Sequence, residues 1–149
     1  MASSKWPAVV DALLTQLGTG LDVPVWDCYP ITDDLLNGVI VGGGLEAANG
    51  RAGTLGQNYH DLGPTATRDE VGVIFCVAQA ETGDDDVASV RTAAFAMLTD
   101  VEDVLRTGVH LGLDDVLRVE VTASDPEQGY TPDGAFCYLP FNITYTAII

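Results

Sequence analysis

Basic side chains are what this chain has least of. Six lysines and arginines stand against 22 aspartates and glutamates, a formal charge of -16. Nucleic-acid binders need a clustered basic footprint, and anionic membranes attract basic segments, so both are excluded as partners held by charge. Cysteine is also scarce: Cys28, Cys76 and Cys137 are an odd number with no CxxC pair. That argues against a zinc ribbon or a disulfide framework and predicts reduced thiols in a cytosol. Cys76 and Cys137 fall inside apolar runs, where a thiol serves as a small hydrophobe. The two histidines, His60 and His110, lie far apart with no Cys or Glu at ligand spacing, so no metal cluster is expected. No apolar stretch approaches the ~20 residues of a helical membrane span. The opening residues lack the basic start and apolar run of a secretory signal.

What is present is enough apolar material for one core. Hydrophobic residues make up 47% of 149 residues, and a chain of this size buries roughly two-thirds of its unfolded surface as one domain. Trp6, Val9, Val10, Leu13, Leu14 and Leu17 recur at helical spacing, which predicts a first helix over residues 5–17. Pro7 fits its first turn, and Gly18 and Gly20 stop it. Residues 23–29 and 39–41 read as two short strands, and the Asn37-Gly38 turn signal between them suggests a hairpin. Residues 69–80 read as a strand apolar on both faces, with Val71, Val73, Phe75 and Val77 on one and Ile74, Cys76 and Ala78 on the other. Asp84, Asp85 and Asp86 open a long helix whose stripe is Val90, Ala94, Met97, Leu98, Val101, Val104 and Leu105, with Gly108 as its stop.

Two strands close the chain. Leu117, Val119 and Val121 alternate with Arg118, Glu120 and Thr122. After turn-rich residues 124–134, a run of strict alternation places Ala135, Cys137, Leu139, Phe141, Ile143, Tyr145 and Ala147 on one face. Phe136, Tyr138, Asn142, Thr144 and Thr146 share the other. Pro140 asks for a bend, a bulge or an edge. The run is long enough to suggest that it reaches beyond its own domain. Together these elements predict an α+β fold: a single domain over 1–149, with a mixed, mainly antiparallel sheet and two helices packed on one face. Residues 42–67 lack periodicity and are rich in glycine, which predicts a long contact loop.

Catalytic chemistry finds little support. His60-Asp61 could orient an imidazole, but no serine or cysteine is poised beside it. The glycines after residue 42 lack the Gly-Lys-Ser/Thr of a phosphate loop and the spacing of a dinucleotide fingerprint. The Asp84 triplet lacks the alternation and distal Glu of a calcium loop, so helix capping is its better reading. The chain is expected not to be an enzyme, and no cofactor is expected.

Three stretches carry a resemblance. They are Thr67-Arg68-Asp69-Glu70 leading into Val71-Gly72-Val73-Ile74-Phe75-Cys76-Val77, the helix that begins Val90-Arg91-Thr92-Ala93-Ala94-Phe95, and the closing Gly134-Ala135-Phe136-Cys137-Tyr138-Leu139-Pro140-Phe141. In these patterns and in element order the chain resembles the tail terminator proteins of long-tailed bacteriophages with non-contractile tails. The resemblance implies a structural virion protein of the tail and neck, assembled in the host bacterial cytoplasm. Such subunits form a homo-hexameric ring that caps the head-proximal end of the tail tube and ends tube growth. The partners it implies are further copies of the chain, the major tail tube protein and a head-completion or connector protein, with DNA passing through the hole unbound. A connector protein of the same neck is the alternative role. Candidate interface residues are Arg51, Tyr59, His60, Arg68, Phe136 and Tyr138.

Overall fold

The computed structural model describes residues 3–31, 34–43, 51–59, 67–108 and 110–149. Two helices, α1 (Trp6–Gly20) and α2 (Val87–Thr107), pack on one face of a seven-stranded, mostly antiparallel sheet. The strands are β1 (Val25–Asp27), β2 (Gly38–Val41), β3 (Gly53–Tyr59), β4 (Arg68–Glu81), β5 (Val116–Ala123), β6 (Glu127–Thr131) and β7 (Gly134–Ile148). Their order is β1-β2-β4-β7-β5, with β3 also on β4 and β6 also on β7.

The centre of the sheet is the antiparallel pair β4 and β7, in register from Asp69↔Ile148 to Glu81↔Phe136. Along β7 burial alternates without a break, and Ala135, Cys137, Leu139, Phe141, Ile143, Tyr145 and Ala147 are all buried. They meet Val9, Leu13 and Leu17 of α1 and Val90, Ala94, Met97, Leu98, Val101 and Leu105 of α2 in one core. Period-two alternation on the strand and 3.6-residue spacing on the helices thus converge on one interface. The expected length of β7 is real, but its expected overhang is not. β4 matches it row for row, so the long strand finds its partner inside the domain.

Pro140 leaves the β4–β7 register unbroken. Its carbonyl accepts from Ser124 N–H at 2.9 Å, so its missing donor faces the same side, where β5 ends opposite Phe141 and β6 begins opposite Tyr138. The proline sits at the changeover between two neighbours, where no ladder bond is lost.

Several expectations are corrected. β1 and β2 run parallel, Val25↔Val39 to Asp27↔Val41, and do not form a hairpin. The expected loop over 42–67 contains β3, paired with β4 from Gly53↔Ile74 to Tyr59↔Arg68. The turn-rich stretch before β7 contains β6, which makes a hairpin with it. Gly134 adopts φ +142°, and a Cβ there would overlap the Thr82 carbonyl, so glycine is needed at the end of that turn. α1 runs through Gly20. Of the three aspartates before α2, Asp86 is the cap, accepting from Ser89 N–H at 3.1 Å. β4 is apolar on two faces, as expected, but only one is covered along its whole length. Val77 is buried on the second face while Val71 is 42% exposed.

Gly72 lies directly opposite Tyr145 in the central pair. A Cβ at this position would overlap the Tyr145 ring, itself fully buried on β7. Gly72→Ala should therefore destabilise the fold by about 1–3 kcal/mol through overpacking, read as a lower urea midpoint with an unchanged slope. An unaltered midpoint would show that the ring has room to move.

Candidate assembly surface

One end of the β4–β7 ladder carries a buried carboxylate. Glu70 lies on the core-facing register of β4 and is fully buried. Its Oε1 accepts from Ser4 Oγ (2.9 Å), Lys5 N–H (2.9 Å) and the Tyr145 hydroxyl (2.6 Å), and its Oε2 accepts from Gln57 Nε2 (2.6 Å). Lys5 is the N-cap of α1 and makes no side-chain cap; Ser4 Oγ accepts from Trp6 N–H (3.0 Å), and Glu70 in turn holds the Ser4 hydroxyl and the Lys5 N–H. Burial alone would raise the Glu70 pKa, but the four donors outweigh it and hold the group below its ordinary value. Burial, and then Glu70 itself, pushes the Tyr145 phenol well above its usual range. With four donors from the chain on two oxygens, Glu70 is a structural clamp on α1 and β3, not a general base awaiting a substrate.

The expected interface residues fall into separate groups. Tyr59 ends β3 and Arg68 begins β4 directly opposite. The Arg68 guanidinium lies 5.5 Å from the Tyr59 ring centroid and donates to its hydroxyl (2.9 Å) and to the Ser3 carbonyl (2.7 Å). Arg51 stands before the other end of β3, its guanidinium 5.8 Å from the Phe75 ring centroid. Phe136 and Tyr138 sit together on the uncovered face of β7, centroids 4.6 Å apart, at the opposite end of the ladder from Arg68. Burial pushes the Tyr138 phenol up to about 12, helped by Glu81 and Tyr29. Beside it, fully buried Gln79 donates to Glu81 (2.5 Å) and Tyr29 (3.4 Å). His60 lies outside the described residues. His110, the other histidine, binds the Val116 carbonyl through Nδ1 at 2.8 Å, a local structural bond.

Electrostatically the surface is one-sided. All six basic side chains are engaged within the chain. Lys5 pairs with Asp115 (2.5 Å), Arg106 with Glu102 and Asp103, and Arg118 with Glu120. Arg91 reaches Gln128, while Arg51 and Arg68 stack on aromatic rings. Acidic pairs supply the partners of these ion pairs: Asp115 to Lys5, Glu102 and Asp103 to Arg106. No group of metal-ligating side chains occurs among the described residues. Cys76 and Cys137 are buried and free, and burial pushes the Cys76 thiol up to about 12. It is a packing residue, not a nucleophile.

Sequence reasoning missed Glu70 as a fixed point, although a signal was there. It shares the strand register of Ile74, Cys76 and Ala78, so a carboxylate was aimed at the core. Because its pKa is lowered on folding, its contribution is present above the ordinary value of 4.5 and is lost as pH falls through the lower folded value. Glu70→Gln should cost about 1–3 kcal/mol near neutral pH, since an amide puts a donor among donors. The gap between wild type and variant, measured by urea unfolding, should shrink steadily below pH 4.5. A gap that stays constant with pH would contradict this role.

Compared with known families and curated proteins, the chain matches no family model and no curated sequence.

Proposed function

We propose that this chain is a structural subunit of a bacteriophage virion, a tail terminator that forms a ring on the head-proximal end of a non-contractile tail tube. The observation that carries the reading is an acidic exterior whose few cations are already engaged, built on a sheet with one uncovered face and open edges. A ring around DNA needs a wall that does not grip phosphates, and a charge of -16 with every basic side chain engaged suits that need. A ring also needs subunit surfaces that are not self-complementary but meet head to tail. The Arg-Asp-led strand, the long amphipathic helix and the closing strand, on which the resemblance rests, are here β4, α2 and β7. The chain contributes shape and charge, not a reaction.

In this reading the ring presents one rim to the tube protein and the other to the connector, and DNA passes through without specific contacts. The test uses the tail tube protein that this reading assigns to the chain as its partner. Added to polymerising tube protein, the chain should stop growth and leave extra density at one tube end in electron micrographs. Tubes of unchanged length with bare ends would contradict the proposal. Binding only to the portal-side connector, never to tubes, would instead assign the chain to head completion.

A further inference from the structure

The sheet has a free edge that lacks the usual protection. Exposed edge strands are normally blunted by charges, prolines or bulges, because their unpaired N–H and C=O groups template further pairing. β3 reads Gly-Thr-Leu-Gly-Gln-Asn-Tyr, with no charge and no proline, and its pairing with β4 runs without a register shift. Nothing among the described residues pairs with its outer side. Phe75 N–H bonds the Ala52 carbonyl, so by alternation the backbone groups of Gly53, Leu55, Gln57 and Tyr59 point outward. Leu55 is 50% exposed and borders an open groove of about 500 Å³ with Trp6 and Pro7.

The opposite edge of the same rows is β5. One row runs Gly53, Ile74, Ile143, Val121, so the two edges are flush. Successive strands across these rows are all antiparallel, so β5 runs opposite to β3. A second copy laid alongside would therefore continue an antiparallel sheet. In the flush register Leu55 falls opposite Val119 of the neighbour. Val119 is half-buried and, by the same alternation, directs its own backbone groups outward. It lines an open cleft with Val121, Leu105, Glu102 and Arg106. A bulge at Leu117 limits the regular part of this edge to residues 118–123.

Charge selects the occupant. β3 is preceded by Arg51, one of only six cations. β5 is flanked by Asp114 and Asp115 at its start and by Asp125 after its end. Antiparallel pairing of β3 with β5 brings Arg51 toward Asp125. We infer that the β3 edge is the docking site for the β5 edge of a second copy, head to tail, by strand addition. This deepens the ring reading by naming its subunit contact, and rests on that reading for closure of the ring.

The experiment measures mass in solution by light scattering and native mass spectrometry over ~1–500 µM, for Kd values in the range of subunit contacts. Leu55→Pro removes an outward donor of β3, and Val119→Pro removes one of β5. Neither removes a bond of the β3–β4 or β5–β7 ladder, and circular dichroism checks that each variant folds. Each variant alone should be monomeric, and an equimolar mixture should give a one-to-one dimer, since each supplies the edge the other lacks. Leu55→Lys keeps every backbone group and should weaken wild-type association about ten-fold or more, which serves if a proline variant fails to fold. Association undiminished in these variants would overturn the edge pairing while leaving the ring reading standing. Two variants that stay monomeric when mixed would also overturn it. A wild-type chain monomeric throughout would overturn the pairing too, and the ring reading would then depend on the tubes alone.

Discussion

The β4–β7 ladder is the constraint on which the rest of the structure depends. Its rows run from one end of the sheet to the other, and every other strand except β1 pairs with one of its two members. Its core-facing side supplies the floor on which both helices rest. Because both strands are long, each has room for two different neighbours along one side: β2 then β3 on β4, β5 then β6 on β7. The place where a neighbour changes is the place where Pro140 is tolerated. The end of the ladder beyond Ile74 is where Glu70 reaches across to hold the start of α1 and the middle of β3.

Which parts of this were legible follows from what each part is made of. α1, α2, β4, β5 and β7 carry a burial period in their own residues, and their existence could be read directly. β3 and β6 could not. Gly53 and Gly56, with Thr54, Gln57 and Asn58 around Leu55, have no alternation, because both faces of β3 are largely exposed. Its strand character comes from pairing with β4, a tertiary effect that local pattern does not encode. The same holds for Glu127–Thr131. The direction of β2 relative to β1 was lost for a related reason. Asn37-Gly38 is a sound turn signal, but a turn there does not say which strand the chain turns toward.

The candidate surface was legible in composition and only partly in position. Scarcity of cations pointed to a surface that repels DNA, and the engagement of all six sharpens that point. Arg68 and Tyr59 do meet. Phe136 and Tyr138 lie at the far end of the ladder, so the expected interface residues do not form one patch. The edge that matters most in this account, β3, was hidden inside what read as a loop. Acidity also shapes association. Copies that each carry -16 repel one another except where a cation flanks an otherwise neutral edge. Charge thus narrows the geometry of contact as well as the choice of partner.

The central claim is that copies of this chain close into a ring. Electron microscopy of the protein at high concentration, with and without its tube protein, tests it most directly. The account predicts end-on views with rotational symmetry and a central hole, built from 15.7 kDa subunits. Particles no larger than one subunit under both conditions, or open filaments without closure, would contradict it.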